Sequence, residues 1–339
     1  LETNPDIFTV VISATDFAQH FMWKYIDFAH PFYSAKEAGK YNPAFVEIWQ
    51  EVDKILESIL KIVTDDTNIL IVSDHGFGPH KQSFYINSWL RNEGYLYWKN
   101  QLRASLQTFL YTRVRRLSPN VSGKLLKIGT RYSVPFIHQI DMKRTKAFAN
   151  ASSGAVGEIC INTSPESPLK NLDDYRMTRD QIIEKIIYAC NNLDIKVDIY
   201  SPDDVYTGQY VDLAPDILFV LNDFECVVYY GPSKKVYKQS PPSPNHSGTH
   251  KKNGIFVAYG PNIKQGCEIE GTKIYDIAPT ILHMFGLPVP DDTDGRVLKE
   301  IFREGSEPHS RGVTFEKLQA EERGKIKEKI GSLKTKRKI

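Results

Sequence analysis

The run Ile69-Leu70-Ile71-Val72-Ser73-Asp74-His75-Gly76-Phe77-Gly78-Pro79-His80 decides how this chain is read. Four apolar residues lead into Ser73, Asp74 and His75, and two glycines then break the regular backbone. Apolar β-formers ended by glycines predict a buried strand that delivers its last residues to the edge of a sheet. In open α/β sheets, ligands bind outside the carboxyl ends of the strands. An adjacent Asp and His there offer a carboxylate oxygen and an imidazole nitrogen to a divalent metal. A capped turn with a solvated Asp74 is the competing reading, so the surrounding chain has to decide.

Upstream, residues 6–13 (DIFTVVIS) form an apolar, β-branched run that predicts a first strand. Asp16 sits just beyond it and His20 follows one helical turn later, so both side chains can face one point. Residues 45–63 carry Phe45, Ile48, Trp49, Val52, Ile55, Leu56, Ile59 and Val63 at three- and four-residue spacing, the pattern of an amphipathic helix. Strand, helix and strand in this order predict a parallel βαβ unit. The Asp16/His20 and Asp74/His75 pairs would then lie on one edge of one sheet.

Downstream, a short amphipathic helix (INSWLRNE) ends at Gly94. Residues 101–141 are basic and helix-prone at first, then irregular, which predicts a cap over the sheet edge. Further strands are expected at residues 146–149, 158–161, 195–200, 216–221, 226–230 and 255–259. Helices are expected at 178–192, with Thr178 as N-cap, and at 277–285, capped by Asp276 and stopped by Gly286. A loop rich in proline and serine, long enough to be functional, carries His246 and His250. The expected division is a core at 1–100, a cap at 101–145, the rest of the core at 146–305 and a basic tail at 306–339.

Composition sets bounds on partners. With 339 residues, 41% hydrophobic and 25% charged, the chain has the make-up of an ordinary globular protein. A formal charge of +2 gives no general affinity for nucleic acid or an anionic membrane. The Lys/Arg-rich end reads as a solvated terminal helix. Cys160, Cys190, Cys226 and Cys267 are dispersed without metal-ligand spacing and read as reduced, mostly buried thiols, which fits a cytoplasmic protein. No apolar run approaches the roughly 18 residues of a transmembrane helix.

Three clusters of Asp and His now stand next to expected strands: Asp16/His20, Asp74/His75 and His246/His250. Such ligands suit Zn²⁺, with Mn²⁺ or Fe²⁺ as alternatives where carboxylates are numerous. The segments T-D-x-x-Q-H, S-D-H-G-F-G and G-T-H-K-K-N-G-I-F-V-A-Y-G-P resemble the alkaline phosphatase superfamily, most closely its type I phosphodiesterase/nucleotide pyrophosphatase branch. Tyr275-Asp276-Ile277-Ala278-Pro279-Thr280-Ile281-Leu282, Gly286-Leu287-Pro288 and Asp294-Gly295-Arg296-Val297-Leu298 resemble it too.

The resemblance implies an alkaline-phosphatase-like α/β sandwich, with a mostly parallel central sheet flanked by helices and an inserted cap. It implies two divalent ions. Asp16, His20 and His250 would bind one, with His250 preferred to His246 because it directly precedes the 255–259 strand. Asp74 and His75 would bind the other, while Lys81 and His80 would reach the substrate. The implied activity is hydrolysis of small phosphate esters, phosphodiesters or nucleotide pyrophosphates, through a covalent phospho-Thr/Ser intermediate. The nucleophile and a further metal-binding Asp are expected upstream of Leu1, and neither Ser13 nor Thr15 fits the nucleophile's place. Another phosphatase, sulfatase, phosphomutase or phosphotransferase of the superfamily, or an inactive binding module of the same fold, stays open.

Overall fold

The structure is a computed structural model that describes residues 5–99, 139–149, 154–208, 210–231 and 233–317. The chain forms two compact units, Leu1–Glu57 with Phe77–Lys252, and Ser58–Gly76 with Asn253–Ile339. The expected cap falls, at residues 101–138, outside the described residues, and so does the basic tail beyond residue 317.

The first unit is built on strands of strong β-formers. Strands β4 (Ala147–Phe148), β5 (Gly157–Ile161), β6 (Val197–Tyr200) and β7 (Ile217–Leu221) make an antiparallel sheet in the order β4-β5-β7-β6. In β7 all five residues, ILFVL, are buried, as a strand flanked on both sides requires. Helix α4 (Leu172–Asn192) covers this sheet with Thr178, Ile182, Ile186 and Cys190, one buried residue per turn. Its N-cap is Asn171, whose side chain accepts the Asp174 N–H, and not Thr178. The polar first turns hid the true start from a reading based on apolar spacing.

A second sheet, β8-β3-β9, pairs β3 (Gln82–Tyr85) in parallel with β8 (Cys226–Tyr229) and antiparallel with β9 (Tyr237–Lys238). Strand β3 runs directly into α3 (Ile86–Asn92), and Phe84, Ile86 and Leu90 are fully buried in the same core as Ile159, Ile217 and Phe219. Strand β2 (Gly76–Pro79) pairs with β10 (Gly248–Lys251). Helices α1 (Ala14–Met22) and α2 (Ala35–Leu60) precede them in the chain. Helix α2 begins ahead of the expected residue 45 and carries Pro43 inside it, its early turns held by buried Ala38 and by Tyr41 against the Tyr25 ring.

In the second unit, β1 (Ile69–Val72) forms at the expected position and pairs antiparallel with β11 (Phe256–Tyr259). It is not the buried strand expected: three of its residues are half-buried and Val72 is 40% exposed. Gly254 passes so close to Ser73 that a Cβ would lie 2.5 Å from its Oγ, which lets Ser73 accept the Ile255 N–H at 2.8 Å. Helix α5 (Ile277–Met284) follows Asp276, whose buried carboxylate accepts from Lys273 N and Arg296 N. A small core gathers Ile263, Leu298, Ile301 and Phe302, and β12 (Val289–Pro290) pairs in parallel with β13 (Phe315–Glu316).

Two expectations are corrected. Residues 6–13 form no strand, and Phe8 and Val11 are 57% and 84% exposed. A strand exists through its hydrogen-bonded partner, and local β-propensity carries no information about one. The expected parallel βαβ unit is therefore not formed, and the sheets among the described residues are small and mostly antiparallel. No described helix is long and apolar enough to cross a membrane.

Candidate metal centre

Helix α1 places Asp16 in its first turn, where the helix dipole favours a carboxylate, and His20 one turn later on the same face. Asp16 Oδ1 lies 3.6 Å from His20 Nε2. Strand β10 adds His250, whose Nε2 is 3.5 Å from Asp16 Oδ1 and 3.0 Å from His20 Nε2. Two residues four apart and a third more than two hundred positions away thus form a nearly equilateral triangle of donor atoms. All three side chains keep partial access to solvent.

The two edges from Asp16, 3.6 and 3.5 Å, have the length a metal needs, and the His20–His250 edge, 3.0 Å, is shorter. Ligands about 2.0–2.2 Å from a tetrahedral ion lie roughly 3.3–3.6 Å apart. One carboxylate and two imidazoles are a borderline donor set suited to Zn²⁺ and its neighbours. Among the described residues this is the group of three ligand side chains close enough to hold an ion.

The tautomer of His20 is set by its neighbour. Nδ1 lies 3.0 Å from the Gly248 carbonyl, which only accepts, so Nδ1 carries the proton and Nε2 presents its lone pair to the cluster. The same loop is stitched to α1 by main-chain contacts: Ser247 N donates to the His20 carbonyl at 2.8 Å. Gly248 has no room for a side chain, since a Cβ would sit 2.2 Å from the Gln19 carbonyl oxygen. Phe77 of β2 meets both imidazoles edge-on, at 4.7 Å to His20 and 5.2 Å to His250, and Trp23 stacks on Phe77. Ser247, Gly248 and Trp23 escape a sequence reading because their roles exist only across long separations. The Gly248-Thr249-His250 spacing was the one signal available.

His246 stands beside the cluster, with its ring 5.2 Å from that of His20. Asp74 and His75 belong to the other unit and form their own pair, with His75 Nε2 3.6 Å from Asp74 Oδ1. His75 Nδ1 lies 3.0 Å from the Gly76 carbonyl, so here too a glycine carbonyl holds Nδ1 and leaves Nε2 on the side of the carboxylate. Asp74 is largely exposed. Thr15 is occupied otherwise, its Oγ1 donating to the Ile12 carbonyl.

The two residues expected to reach substrate are placed differently. Lys81 is half-buried and its Nζ pairs with Glu225 Oε2 at 3.2 Å. His80 is 1% exposed, so it does not meet a substrate directly. Its Nδ1 donates to the His246 carbonyl, and its own carbonyl accepts from His30 Nε2 at 3.0 Å. Burial pushes the His80 imidazole down to about 3, with the neighbouring His246 adding to the shift. His30 is lowered for the same first reason, loss of solvent. These two neutral histidines tie the linker after α1 to the β2–β3 turn and to the loop that leads into β10. The four cysteines are free thiols; Cys190 and Cys226 are buried, Cys160 is half-buried and Cys267 is exposed.

The profile of the family described as Type I phosphodiesterase / nucleotide pyrophosphatase matches residues 1–253, a span that contains Asp16, His20, Asp74, His75 and His250. None of the curated proteins and none of the solved structures compared matches the chain.

Proposed function

Because the chain belongs to the type I phosphodiesterase/nucleotide pyrophosphatase family, we propose that it is a metal-dependent hydrolase acting on phosphodiester or nucleotide pyrophosphate bonds of small molecules. The observation that carries this reading is the Asp16–His20–His250 triangle, three donor atoms in one place from two distant segments. Asp16, His20 and His250 would hold one divalent ion, Zn²⁺ by the His content of the set, and Asp74 with His75 would contribute to a second. Such an ion supplies Lewis-acid polarisation of a phosphoryl oxygen and charge neutralisation during in-line displacement.

The chain's own residues do the positioning. Gly248 fixes the donor face of His20, and the Phe77 ring gives both imidazoles an apolar wall that limits their rotation. Asp16 places a negative charge beside two neutral donors and so favours a cation over a water. The alkaline-phosphatase-like architecture and the phospho-Thr/Ser step implied by the family resemblance belong to this reading as well.

Hydrolysis of bis-p-nitrophenyl phosphate tests the proposal. Turnover, even if slow, is expected to vanish with a chelator, to return with Zn²⁺ or Mn²⁺, and to be lost in His250→Ala. Turnover that ignores both the chelator and the substitution would sink it. Metal binding without any hydrolysis would favour a non-catalytic member of the family.

A further inference from the structure

We propose that Lys251 is a positioning residue for the metal cluster, clamped from behind the ligand strand by the left-handed turn at Asn222–Phe224. The inference rests on reading Asp16, His20 and His250 as metal ligands and goes one layer deeper. Neighbouring residues of a strand point to opposite faces, so His250 and Lys251 of β10 face opposite ways. His250 turns to the cluster and Lys251 to the back of the strand.

Three features hold the lysine there. Its side chain is 18% exposed, and its stem lies across Gly78 of the paired strand β2, where a Cβ would come 2.4 Å from Lys251 Cε. The glycine lets the stem lie flat. Nζ donates to the Asp223 main-chain carbonyl, lies 3.2 Å from Asp223 Oδ2, and is 3.8 Å from Glu225 Oε1. Glu225 is at the same time paired with Lys81, which joins the β2–β3 turn to the same anchor.

The anchor itself is unusual. Asn222, Asp223 and Phe224 adopt φ values of 45°, 48° and 70°, three consecutive residues with side chains in the left-handed region. Such conformations persist only where the surroundings over-determine them, and they gather at sites whose geometry matters. Here Asn222 exchanges hydrogen bonds with Lys196, N to O at 2.8 Å and Oδ1 from N at 2.7 Å, and its carbonyl accepts from Glu225 N. The turn thereby directs both a carbonyl and a carboxylate at one ammonium group. The contacts exceed what a surface ion pair between β10 and a loop would require. They fix the strand that presents His250 against sliding or rotation.

Co²⁺ titration of the full chain, followed by visible absorption, tests this. Wild type is expected to bind with the intense bands of low coordination, and Lys251→Met, which keeps the stem and removes the charge, to bind roughly ten- to hundredfold more weakly with altered bands. Lys251→Arg is expected to restore most of the affinity and the wild-type spectrum. Asp223→Asn alters a side chain that is 78% exposed, so the fold tolerates it, and it should weaken binding in the same direction. Wild-type affinity and bands in both Lys251→Met and Asp223→Asn, with binding still lost in His250→Ala, would overturn the positioning role alone. Binding that survives His250→Ala would overturn the metal-site reading and this inference together.

Discussion

His20 acts through both of its ends. Its Nδ1 is committed to the Gly248 carbonyl, and this commitment leaves Nε2 as a donor beside Asp16 and His250. His80 is its opposite, an imidazole sealed in the interior and held neutral, with its acidity shifted to about 3 by burial. The unfolded chain's histidine titrates near 6.5. The folded value is depressed, so the stabilisation is fully present above about pH 6.5 and is lost as pH falls toward 3. The full effect is on the order of 5 kcal/mol, of which roughly 2 kcal/mol is gone by about pH 5. His30, shifted in the same direction, adds to it. Thermal melting of wild type and His80→Gln between about pH 7 and about pH 5 checks this. The variant is expected to be less stable at neutral pH and to lose less on acidification; parallel curves would contradict it.

At the scale of elements, the site depends on how α1 and β10 meet. Gly248→Ala would drive a Cβ into the Gln19 backbone, which has no flexible end to yield. Urea denaturation should show a loss of about 1–3 kcal/mol, the usual cost of overpacking; an unchanged midpoint would contradict so close an approach of helix and strand. Much at this scale is legible in the sequence. The β-branched runs at Ile69–Val72 and Ile217–Leu221 form strands, since long apolar runs bounded by turn residues leave few alternatives. The i, i+4 spacing of Asp16 and His20 places them correctly on one helix face. Residues 6–13 look as strand-like as Ile69–Val72, but pairing is a property of two segments and cannot be read from one. Gly248, Lys251 and the Asn222–Phe224 turn stayed hidden for the same reason. Their meaning lies in contacts with α1, β2 and one another that span many residues of chain.

At the scale of the molecule, the family match covers residues 1–253 and therefore every residue of the three-ligand cluster. The cluster is internal to one compact unit, whose core runs from Phe84 and Leu90 through Ile182 and Phe219. The other unit has its own smaller core around Leu298 and Phe302 and carries Asp74 and His75. The central claim is that three side chains of the first unit hold a divalent ion. Calorimetric titration of the metal-stripped chain with Zn²⁺, set beside Asp16→Asn, His20→Ala and His250→Ala, tests it most directly. About one tightly bound Zn²⁺ per chain is expected at a site with this donor set, and each substitution should abolish or strongly weaken it. Equal Zn²⁺ binding by wild type and all three variants would contradict the account.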